Sequence, residues 1–504
     1  MTRPLLPLWG ALIVAAASGP ILDAGFPDQN LWPLTFVGIA AVLISLIGRS
    51  VGSAGLVGFI AGMAFYLVHI GWATEFLGEV LPMLALCFLE SLFFSLGSVT
   101  IALAYRWVPR VWTGPAGRLG LLPVIVAGLW TAREAIMSVW PYGGFAWGRV
   151  ALSQSESPVA HLFGWIGVSG VSFIMVLAVA VAIEAVQATS LRGLLRVTVA
   201  MGAAALVLAI PAFPVSTDGS IRVAAVQGNG KAAYIDQREY GDLLRAQYEA
   251  TEAIKDKTAD VVLWPEGGTD INPITDPNAA AVFDYVSAQF HAPLISGAIT
   301  EVGDDIYNSS LLWIAGKGAT DVYNKRHPVP FGEYIPDRAF WRPFAPDLID
   351  LVEREYTIGT TDPIFDLGTV RVAVNICFDI VDDELMKESI DGGAQIIFAQ
   401  SNNADFGHTD ESVQQLAIAR VRAIELGRTV VNISTVGTSA VIGADGTTLK
   451  QLPTYTAGAM VITVPTSSTV TGAVIAGRQI EWLVSFYALA VLLLAGILGR
   501  RRRG

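Results

Sequence analysis

Long apolar runs alternate with short polar stretches over the first 213 residues, and one more apolar run lies near the end of the chain. A transmembrane helix needs about 20 mostly apolar residues, and eight runs are of this kind. They lie near residues 5–23, 31–48, 54–73, 80–105, 119–139, 160–187, 193–213 and 479–499. The pattern predicts a polytopic membrane protein in which a long polar block separates the seventh span from the eighth.

The polar block has a different pattern, in which short β-rich runs alternate with helical ones. Helices are predicted over residues 236–255, 278–290, 381–391 and 410–427. Strands are predicted over Ile221–Val226, Val261–Trp264, Leu294–Ala298, Ser310–Ile314, Val372–Ile376, Ile396–Ala399, Val430–Ser434 and Met460–Val464. Because these strands are apolar without alternation, we expect both of their faces to be covered. The block is therefore predicted to be a layered α/β domain.

Composition and charge support this division of the chain. Only 15% of the residues are charged, against about 25% in a typical globular protein. Residues 1–214 carry a net charge of +1, residues 215–479 carry −16 and residues 480–504 carry +3. A strongly acidic block argues against nucleic acid as a partner, because a phosphate-binding surface is basic. We therefore predict a transmembrane domain at 1–214, a water-soluble domain at 215–478, and a last span with a basic tail at 479–504.

The arginines predict the orientation of the spans, because loops on the cytoplasmic side are enriched in Lys and Arg. With the N-terminus inside, the loops on the opposite side lie at about 24–30, 74–79 and 140–159 and hold a single basic residue, Arg149. The domain after the seventh span is then expected on the outer face of the membrane, outside the cytoplasm.

Four ionisable residues, Glu90, Arg133, Glu134 and Glu184, lie inside predicted spans, where charge is costly. Structural pairing or anchoring is the favoured interpretation, and contact with a lipid headgroup is the alternative.

The chain has two cysteines, and they belong to different parts of it. Cys87 lies in an apolar run and is expected to be a small buried hydrophobe, so no disulfide with Cys377 is predicted. Cys377 directly follows the predicted strand Val372–Ile376 and precedes a helix. A thiol close to a helix N-terminus and a cation has a lowered pKa and is a better nucleophile.

Two other segments also place reactive side chains at the ends of apolar strands. Glu266 follows the strand that ends at Trp264, and Lys325 begins a proline-stiffened loop that reaches Glu333. Taken singly these signals are weak, because a Pro-Glu-Gly-Gly sequence is usually a turn and a lysine usually serves solvation. His327, in the same loop, is predicted to be structural rather than a proton carrier.

Glu266, Lys325 and Cys377 follow one another at separations of 59 and 52 residues. In this order they resemble the nitrilase, or carbon-nitrogen hydrolase, superfamily, whose members use a Glu-Lys-Cys triad on an αββα sandwich. The resemblance covers residues from about 220 to 465. It is also carried by Val226-Gln-Gly-Asn229, Tyr307-Asn-Ser-Ser310, Gln400-Ser-Asn-Asn-Ala404, Phe406-Gly407 and Ala419–Arg428.

The insertion of such a domain before the last of eight spans is similar to the bacterial apolipoprotein N-acyltransferase family. The segment Trp140–Trp147 and the pair Ser153-Gln154 agree with this resemblance. What it implies is acyl transfer from a membrane phospholipid, through a thioester on the cysteine, to the α-amino group of the diacylglyceryl cysteine of a lipoprotein. Neither a metal nor a cofactor is implied.

The resemblance also implies a role for each site residue. Glu266 would take the proton of the Cys377 thiol, and Lys325 with a backbone N–H would stabilise the oxyanion. Glu333 would orient Lys325, and Asp379 would be a further supporting residue.

Departures from the family pattern concern substrate contacts. Phe378-Asp379 stands where the family commonly has Tyr-Glu, and Asp405 stands where it commonly has Trp. Tyr234 is the aromatic residue nearest to the position of a functionally important Trp. With Phe378 and Tyr234, Trp341 is a third candidate for substrate binding, either in a mobile lid that reaches the bilayer or in a small core under a long loop.

Two alternatives stay open at this stage. The first is a membrane-tethered amidase of the nitrilase type, in which water resolves the thioester. Eight spans favour the transferase, because one span would be enough for a tether. The second is a non-catalytic scaffold with the same fold, which is disfavoured because Glu266, Lys325 and Cys377 are all present.

Overall fold

The apolar runs form a bundle of helices. The computed structural model describes residues 3–187, 202, 205, 207–233, 236–352 and 354–501. One of its two compact units takes in Met1–Gly71, Met83–Phe213 and Gly472–Gly504. Its helices are α1 (Leu8–Asp23), α2 (Pro33–Leu46), α3 (Val51–His69), α5 (Val80–Val111), α6 (Leu122–Met137), α7 (Phe163–Gln187) and α14 (Gly472–Arg501).

Five stretches among the described residues are long and apolar enough to cross a membrane. They are Val51–His69, Val80–Val111, Ala116–Met137, Ala160–Gln187 and Gly472–Gly499. The predicted runs near 5–23 and 31–48 form the shorter helices α1 and α2, of 16 and 14 residues. The predicted span at 193–213 lies mostly outside the described residues. A helical membrane domain is therefore confirmed, although fewer than eight of its helices reach full spanning length in the described part of the chain.

The four ionisable residues predicted inside spans are buried in this bundle. The Arg133 guanidinium lies 4.3 Å from the ring centre of Phe94 and 4.7 Å from that of Trp130, and it pairs with Glu134 at 3.2 Å. The Glu134 carboxylate also accepts the indole N–H of Trp130 at 2.8 Å. For Arg133 and Glu134 the favoured interpretation, structural pairing, is in agreement with these contacts.

The second compact unit takes in Pro214–Thr471 together with Trp72–Pro82, a segment between α3 and α5 that holds the short helix α4 (Ala73–Leu77). Its first sheet has the order β12-β1-β2-β3-β4-β5 and its second the order β11-β10-β9-β8-β7-β6. The first six strands are β1 (Gly219–Gln227), β2 (Val261–Leu263), β3 (Leu294–Val302), β4 (Asp305–Ile314), β5 (Gly318–Asn324) and β6 (Ile364–Asp366). The others are β7 (Arg371–Ile376), β8 (Ile396–Ser401), β9 (Thr429–Ser434), β10 (Ala440–Ile442), β11 (Thr448–Gln451) and β12 (Gly458–Thr466).

The two sheets bury a common core, and helices cover their outer faces. Side chains of both sheets meet in one buried cluster, which includes Val223 and Leu263 of the first sheet and Val374 and Phe398 of the second. Helices α8 (Asp242–Glu252) and α9 (Pro277–Phe290) pack on the first sheet. Helices α12 (Asp383–Asp391) and α13 (Glu411–Leu426) belong to the second layer, whereas α10 (Arg338–Trp341) and α11 (Pro346–Ile349) lie in a long loop. The predicted αββα sandwich is confirmed.

The strand directions bring particular chain ends to one edge of each sheet. Strands β1, β2 and β3 are parallel, and β5 runs in the same direction because both β3–β4 and β4–β5 are antiparallel. In the second sheet β7, β8 and β9 are parallel. Ligands of parallel α/β sheets bind beyond the carboxyl ends of the strands. The residues that follow β2, β5, β7 and β8 are therefore candidates for the functional site.

Candidate active site

The three residues of the predicted triad each follow a strand directly or within a few residues. Glu266 lies three residues beyond β2, Lys325 immediately follows β5, and Cys377 immediately follows β7. Glu266 and Lys325 therefore project from the first sheet, and Cys377 from the second. The structure brings the three side chains together between the two sheets.

Lys325 lies between two carboxylates. Its Nζ is 2.8 Å from Oε2 of Glu333 and 3.4 Å from Oε1 of Glu266. The lysine is 1% exposed, and burial by itself lowers the pKa of an ammonium group. The two carboxylates outweigh burial and hold the pKa of Lys325 well above its usual value. The side chain is thus a fixed cation, as an oxyanion-stabilising group must be.

Asn308, on β4, connects the same two carboxylates. Its side-chain NH₂ donates to Oε1 of Glu266 at 2.7 Å and to Oε1 of Glu333 at 3.1 Å. Glu333 is held further by the backbone N–H of Val329, which donates to its Oε2 at 2.7 Å. The loop that carries Glu333 is therefore tied to the strand that carries Asn308.

Glu266 is buried and has its remaining oxygen occupied by a backbone donor. The N–H of Asn402, just beyond β8, donates to Oε2 of Glu266 at 2.8 Å. Burial raises the pKa of Glu266, although the neighbouring Lys325 opposes the rise. A carboxylate whose pKa is raised toward neutrality is a more effective general base than an ordinary one.

Cys377 occupies a sharp turn between β7 and a short 3₁₀ helix, Cys377–Val381. Its φ is +49°, a left-handed conformation that costs a non-glycine residue on the order of 1 kcal/mol. The residue is partly exposed. The side-chain N–H of Gln415, on α13, donates to its sulfur at 3.7 Å.

The expectation of a lowered thiol pKa at Cys377 is wrong. Burial raises the pKa of Cys377 well above its usual value, the carboxylate of Glu266 adds to the rise, and Lys325 opposes it. The helix and the cation alone favour a lower pKa, but several carboxylates also surround the sulfur and raise it. A resting thiol of this kind needs a base to remove its proton.

Asp379 ties the lysine loop to the cysteine turn. Its Oδ2 accepts the phenolic O–H of Tyr323 at 2.8 Å and the N–H of Ile376 at 3.1 Å, and its Oδ1 accepts the N–H of His327 at 3.0 Å. Tyr323 and His327 lie two residues on either side of Lys325, and Ile376 precedes Cys377. The carboxylate thus fixes Lys325 and Cys377 relative to each other.

Two of the three candidate substrate-binding residues, Phe378 and Trp341, lie in the described part of the chain. Phe378 follows the nucleophile in the 3₁₀ turn and is partly exposed. Trp341 packs against Phe331, with ring centres 5.8 Å apart, beside a small buried cluster of Ile335, Ile349 and Val352. Of the two readings for Trp341, a small core under a long loop matches its contacts. Tyr234 lies outside the described residues.

Part of the site's surroundings comes from the segment between α3 and α5. The indole N–H of Trp72 donates to Oε1 of Gln414 at 3.0 Å, and the rings of Trp72 and Phe76 contact Phe406 at centroid distances of 5.2 and 5.8 Å. A Cβ at Gly332, next to Glu333, would lie 3.1 Å from the Phe76 ring. Helix α4 therefore supports two loops that carry site residues.

Sequence reasoning missed four residues that contact the triad or its neighbours. Asn308 and Asn402 lie within segments that carry the family resemblance, so a weak signal for them was present. Gln415 and Glu411 lie on an amphipathic helix, where a polar side chain is usually a solvated one. Their burial depends on how α13 packs, which the pattern does not show.

Both parts of the chain match known families. Residues 222–473, half of the chain, match the carbon-nitrogen hydrolase model, and the protein belongs to the carbon-nitrogen hydrolase family. Residues 18–181 match the apolipoprotein N-acyltransferase N-terminal domain. The resemblance predicted from the motifs is confirmed in both parts.

Full-length relatives are similar over both parts together. The apolipoprotein N-acyltransferase of Photobacterium profundum is 25% identical and covers 100% of this chain and 98% of its own length. Those of Shewanella oneidensis and Mycolicibacterium smegmatis are 27% and 28% identical and cover 90% and 96% of this chain and 90% and 85% of their own lengths. Among solved structures, an amidase from Nesterenkonia sp. matches at 16% identity and a TM-score of 0.38, over 50% of this chain and 92% of its own.

Proposed function

We propose that this protein transfers an acyl chain from a membrane phospholipid to the α-amino group of the N-terminal diacylglyceryl cysteine of a lipoprotein. The observation that carries the proposal is the Lys325 cation, held between Glu266 and Glu333 beside Cys377, in a chain similar along its whole length to apolipoprotein N-acyltransferases. Five described helices that are long and apolar enough to cross a membrane support a position in the membrane that would supply the donor.

In the first half-reaction Cys377 takes the acyl chain. Glu266 removes the proton of the thiol, and the sulfur attacks the carbonyl carbon of the phospholipid ester. Lys325 and a backbone N–H stabilise the negative charge on the carbonyl oxygen. As the C–O bond to the glycerol breaks, the departing oxygen takes the proton from Glu266. A lysophospholipid leaves, and the acyl group stays on sulfur as a thioester.

In the second half-reaction the amine of the lipoprotein attacks the thioester. A C–N bond forms, the C–S bond breaks, and Glu266 passes the proton lost by the amine to the departing sulfur. The products are an N-acylated lipoprotein and the free thiol. Conversion of an ester into an amide is downhill, so the overall transfer needs no metal or nucleotide.

The raised pKa values of the site fit this division of labour. Because burial raises the pKa of the Cys377 thiol, the resting sulfur is protonated, and attack depends on a neighbouring base. Burial also raises the pKa of Glu266, which makes this carboxylate a stronger base for that proton. Lys325 stays charged throughout, because its ion pair with Glu333 persists even when Glu266 is protonated.

The proposal includes the location of the reaction. The distribution of arginines between the loops supports a domain on the outer face of the bacterial cytoplasmic membrane. There it would meet phospholipid headgroups and lipoproteins that are anchored in the same leaflet by their diacylglyceryl groups.

The test uses the full-length chain in vesicles with a phospholipid labelled in its acyl chain and a diacylated lipopeptide. We expect one labelled acyl group on each lipopeptide and an equal amount of lysophospholipid. Mass spectrometry of the chain incubated with lipid alone should show an acyl adduct on Cys377 that is absent from Cys377→Ala. Release of free fatty acid without acylated lipopeptide would favour the alternative of a hydrolytic, amidase-like enzyme. Equal acyl labelling of the parent protein and of Cys377→Ala would remove Cys377 from the mechanism.

A further inference from the structure

A line of buried polar side chains leads from Glu411 to the sulfur of Cys377, outside the set of groups used above. The side-chain NH₂ of Asn403 donates to Oε2 of Glu411 at 2.7 Å and to Oε1 of Gln415 at 2.8 Å. The side-chain NH₂ of Gln415 in turn donates to Sγ of Cys377 at 3.7 Å. Glu411, Asn403 and Gln415 are each at most 2% exposed.

The directions of the hydrogen bonds along this line are fixed by the contacts of Glu411 and Asn403. The Glu411 oxygen acts as an acceptor toward Asn403, and the Oδ1 of Asn403 accepts the hydroxyl of Ser401 at 3.0 Å. The Asn403 amide is therefore held with its nitrogen toward Glu411 and Gln415. Because that nitrogen can only donate, Gln415 must present its oxygen to Asn403 and its NH₂ to the sulfur.

We propose that Gln415 is a further catalytic residue, which donates a hydrogen bond to the Cys377 sulfur, and that Glu411 and Asn403 are positioning residues that fix the orientation of its amide. The proposal rests on the proposed function in so far as Cys377 is the nucleophile.

The donor matters in the two states in which the sulfur carries negative charge. The first is the thiolate formed when Glu266 removes the proton, and the second is the departing sulfur when the C–S bond of the thioester breaks. A hydrogen bond to an ionised group is about twice as strong as one between neutral groups. If the Gln415 amide were reversed, its oxygen would face the sulfur and oppose both steps.

Charged groups on several elements also act on the sulfur, and their influence must be separated from that of the Gln415 hydrogen bond. Glu266 follows β2, Glu333 lies in the loop after β5, and Glu411 lies on α13; all three raise the pKa of Cys377, and Lys325 lowers it. Because burial raises the pKa of Glu411 to about 8, its charge is present mainly above that pH, and there removal of the charge alone would make the thiol more acidic. Loss of the Gln415 orientation would make the thiol less acidic. The charge effect and the hydrogen-bond effect therefore shift the pKa of Cys377 in opposite directions.

The experiment measures the rate of Cys377 alkylation by iodoacetamide against pH, in the full-length protein with Cys87→Ala to leave one reactive thiol. Gln415→Leu is expected to slow alkylation about tenfold near neutral pH and to move the profile to higher pH. Gln451→Leu is the control, because this glutamine lies at an exposed position of β11, and its profile is expected to follow that of the parent. An unchanged profile in Gln415→Leu would overturn the proposal.

Glu411 is tested by two substitutions that differ in hydrogen bonding. Glu411→Gln keeps an oxygen that accepts from Asn403, whereas Glu411→Leu does not, and both remove the charge. We expect the Leu variant to react more slowly than the Gln variant, and the pair Glu411→Leu with Gln415→Leu to add nothing to Gln415→Leu alone. Equal rates for the Gln and Leu variants, or additive effects in the double variant, would show that Glu411 acts by charge only and would overturn its positioning role.

The alkylation readout needs neither lipid nor lipopeptide. A shifted pH profile in a chain that transfers no acyl group would therefore contradict the proposed function and leave this inference standing. If the parent protein transfers acyl groups but Gln415→Leu shows an unshifted profile, the proposed function stands and this inference is contradicted. If Gln415→Leu does not fold, Gln415→Asn, which retains the amide but shortens its reach, provides the same comparison.

Discussion

Asn308 provides the sharpest test of the charge balance around the proposed base. It donates to both Glu266 and Glu333, and this hydrogen bond opposes the rise in the pKa of Glu266. Asn308→Asp would replace a donor by a third carboxylate and raise the pKa of Glu266 further. We expect kcat/KM for acyl transfer to fall more than tenfold near pH 6 and less near pH 8, because the base must be ionised.

The uncharged variant Asn308→Leu separates the two contributions. It removes the hydrogen bonds without adding a carboxylate, so the acid limb of its pH profile should move less than that of Asn308→Asp. Profiles of kcat/KM that have the same acid limb in all three proteins would contradict the role given to Asn308.

Glu411 should make the stability of the protein depend on pH. Burial raises its pKa to about 8 from the usual value near 4.5, and the side chain is 1% exposed. A group whose pKa is higher in the folded state binds more protons there, so its contribution is complete below pH 4.5 and is lost as the pH rises toward 8. Three or more pKa units correspond to a free energy on the order of a few kcal/mol.

Glu411→Gln removes this titration. The thermal midpoint of the variant in detergent should exceed that of the parent at pH 8, and the difference should shrink at pH 5. Glu384→Gln, at an exposed position on α12, is the control and should show no such trend. A difference between Glu411→Gln and the parent that is independent of pH would contradict the prediction.

At the scale of elements, helix α4 connects a segment between two apolar helices to the catalytic domain. Phe76 packs against Phe406 and lies next to Gly332, so it supports the loops that carry Asn402 and Glu333. We expect Phe76→Ala to lower the rate of thioester formation about three- to tenfold, because small displacements of positioned groups are costly in rate. Glu75→Ala, on the exposed side of the same helix, is the matched control, and equal rates in the two variants would contradict a supporting role for α4.

The sequence predicts most of the interior strands but misses three of the four edge strands and one short interior strand. Each of the eight predicted strands lies within or overlaps an observed one, because burial on both faces produces continuous apolar runs such as Ile396–Ala399. The strands that were missed are β5, β6, β10 and β11. β11 is exposed at every position and β5 contains Thr320 and Asp321, so neither has an apolar pattern from which it could be recognised.

The site shows the same division between local and long-range information. Glu266, Lys325 and Cys377 were predictable because each follows an apolar strand and the three together resemble a known family. Gln415 and the raised pKa of the Cys377 thiol were beyond reach, since both depend on which side chains surround the sulfur. Helix α4 was beyond reach for a similar reason, because its pattern gives no sign that it packs on residues 330 positions further along the chain.

For the whole molecule, the uneven charge has a physical meaning in the proposed reaction. A domain with a net charge of −16 is repelled by the anionic headgroups of the cytoplasmic leaflet. The basic tail at 500–503 is suited to that cytoplasmic surface. Both charges support the proposed orientation, with the catalytic domain outside. The proposal of an outer-face reaction depends on this orientation, because the proposed acceptor would be anchored in the outer leaflet.

This orientation is tested by labelling single cysteines from outside. In a Cys87→Ala, Cys377→Ala background, Asp304→Cys places a thiol in an exposed turn of the catalytic domain, and Gly114→Cys places one in the loop between α5 and α6, where an added Cβ meets no neighbour. We expect a membrane-impermeant maleimide to label Asp304→Cys in intact spheroplasts and to label Gly114→Cys only after the membrane is opened. The reverse pattern would put the catalytic domain in the cytoplasm, where the diacylglyceryl acceptor on the outer leaflet could not reach Cys377.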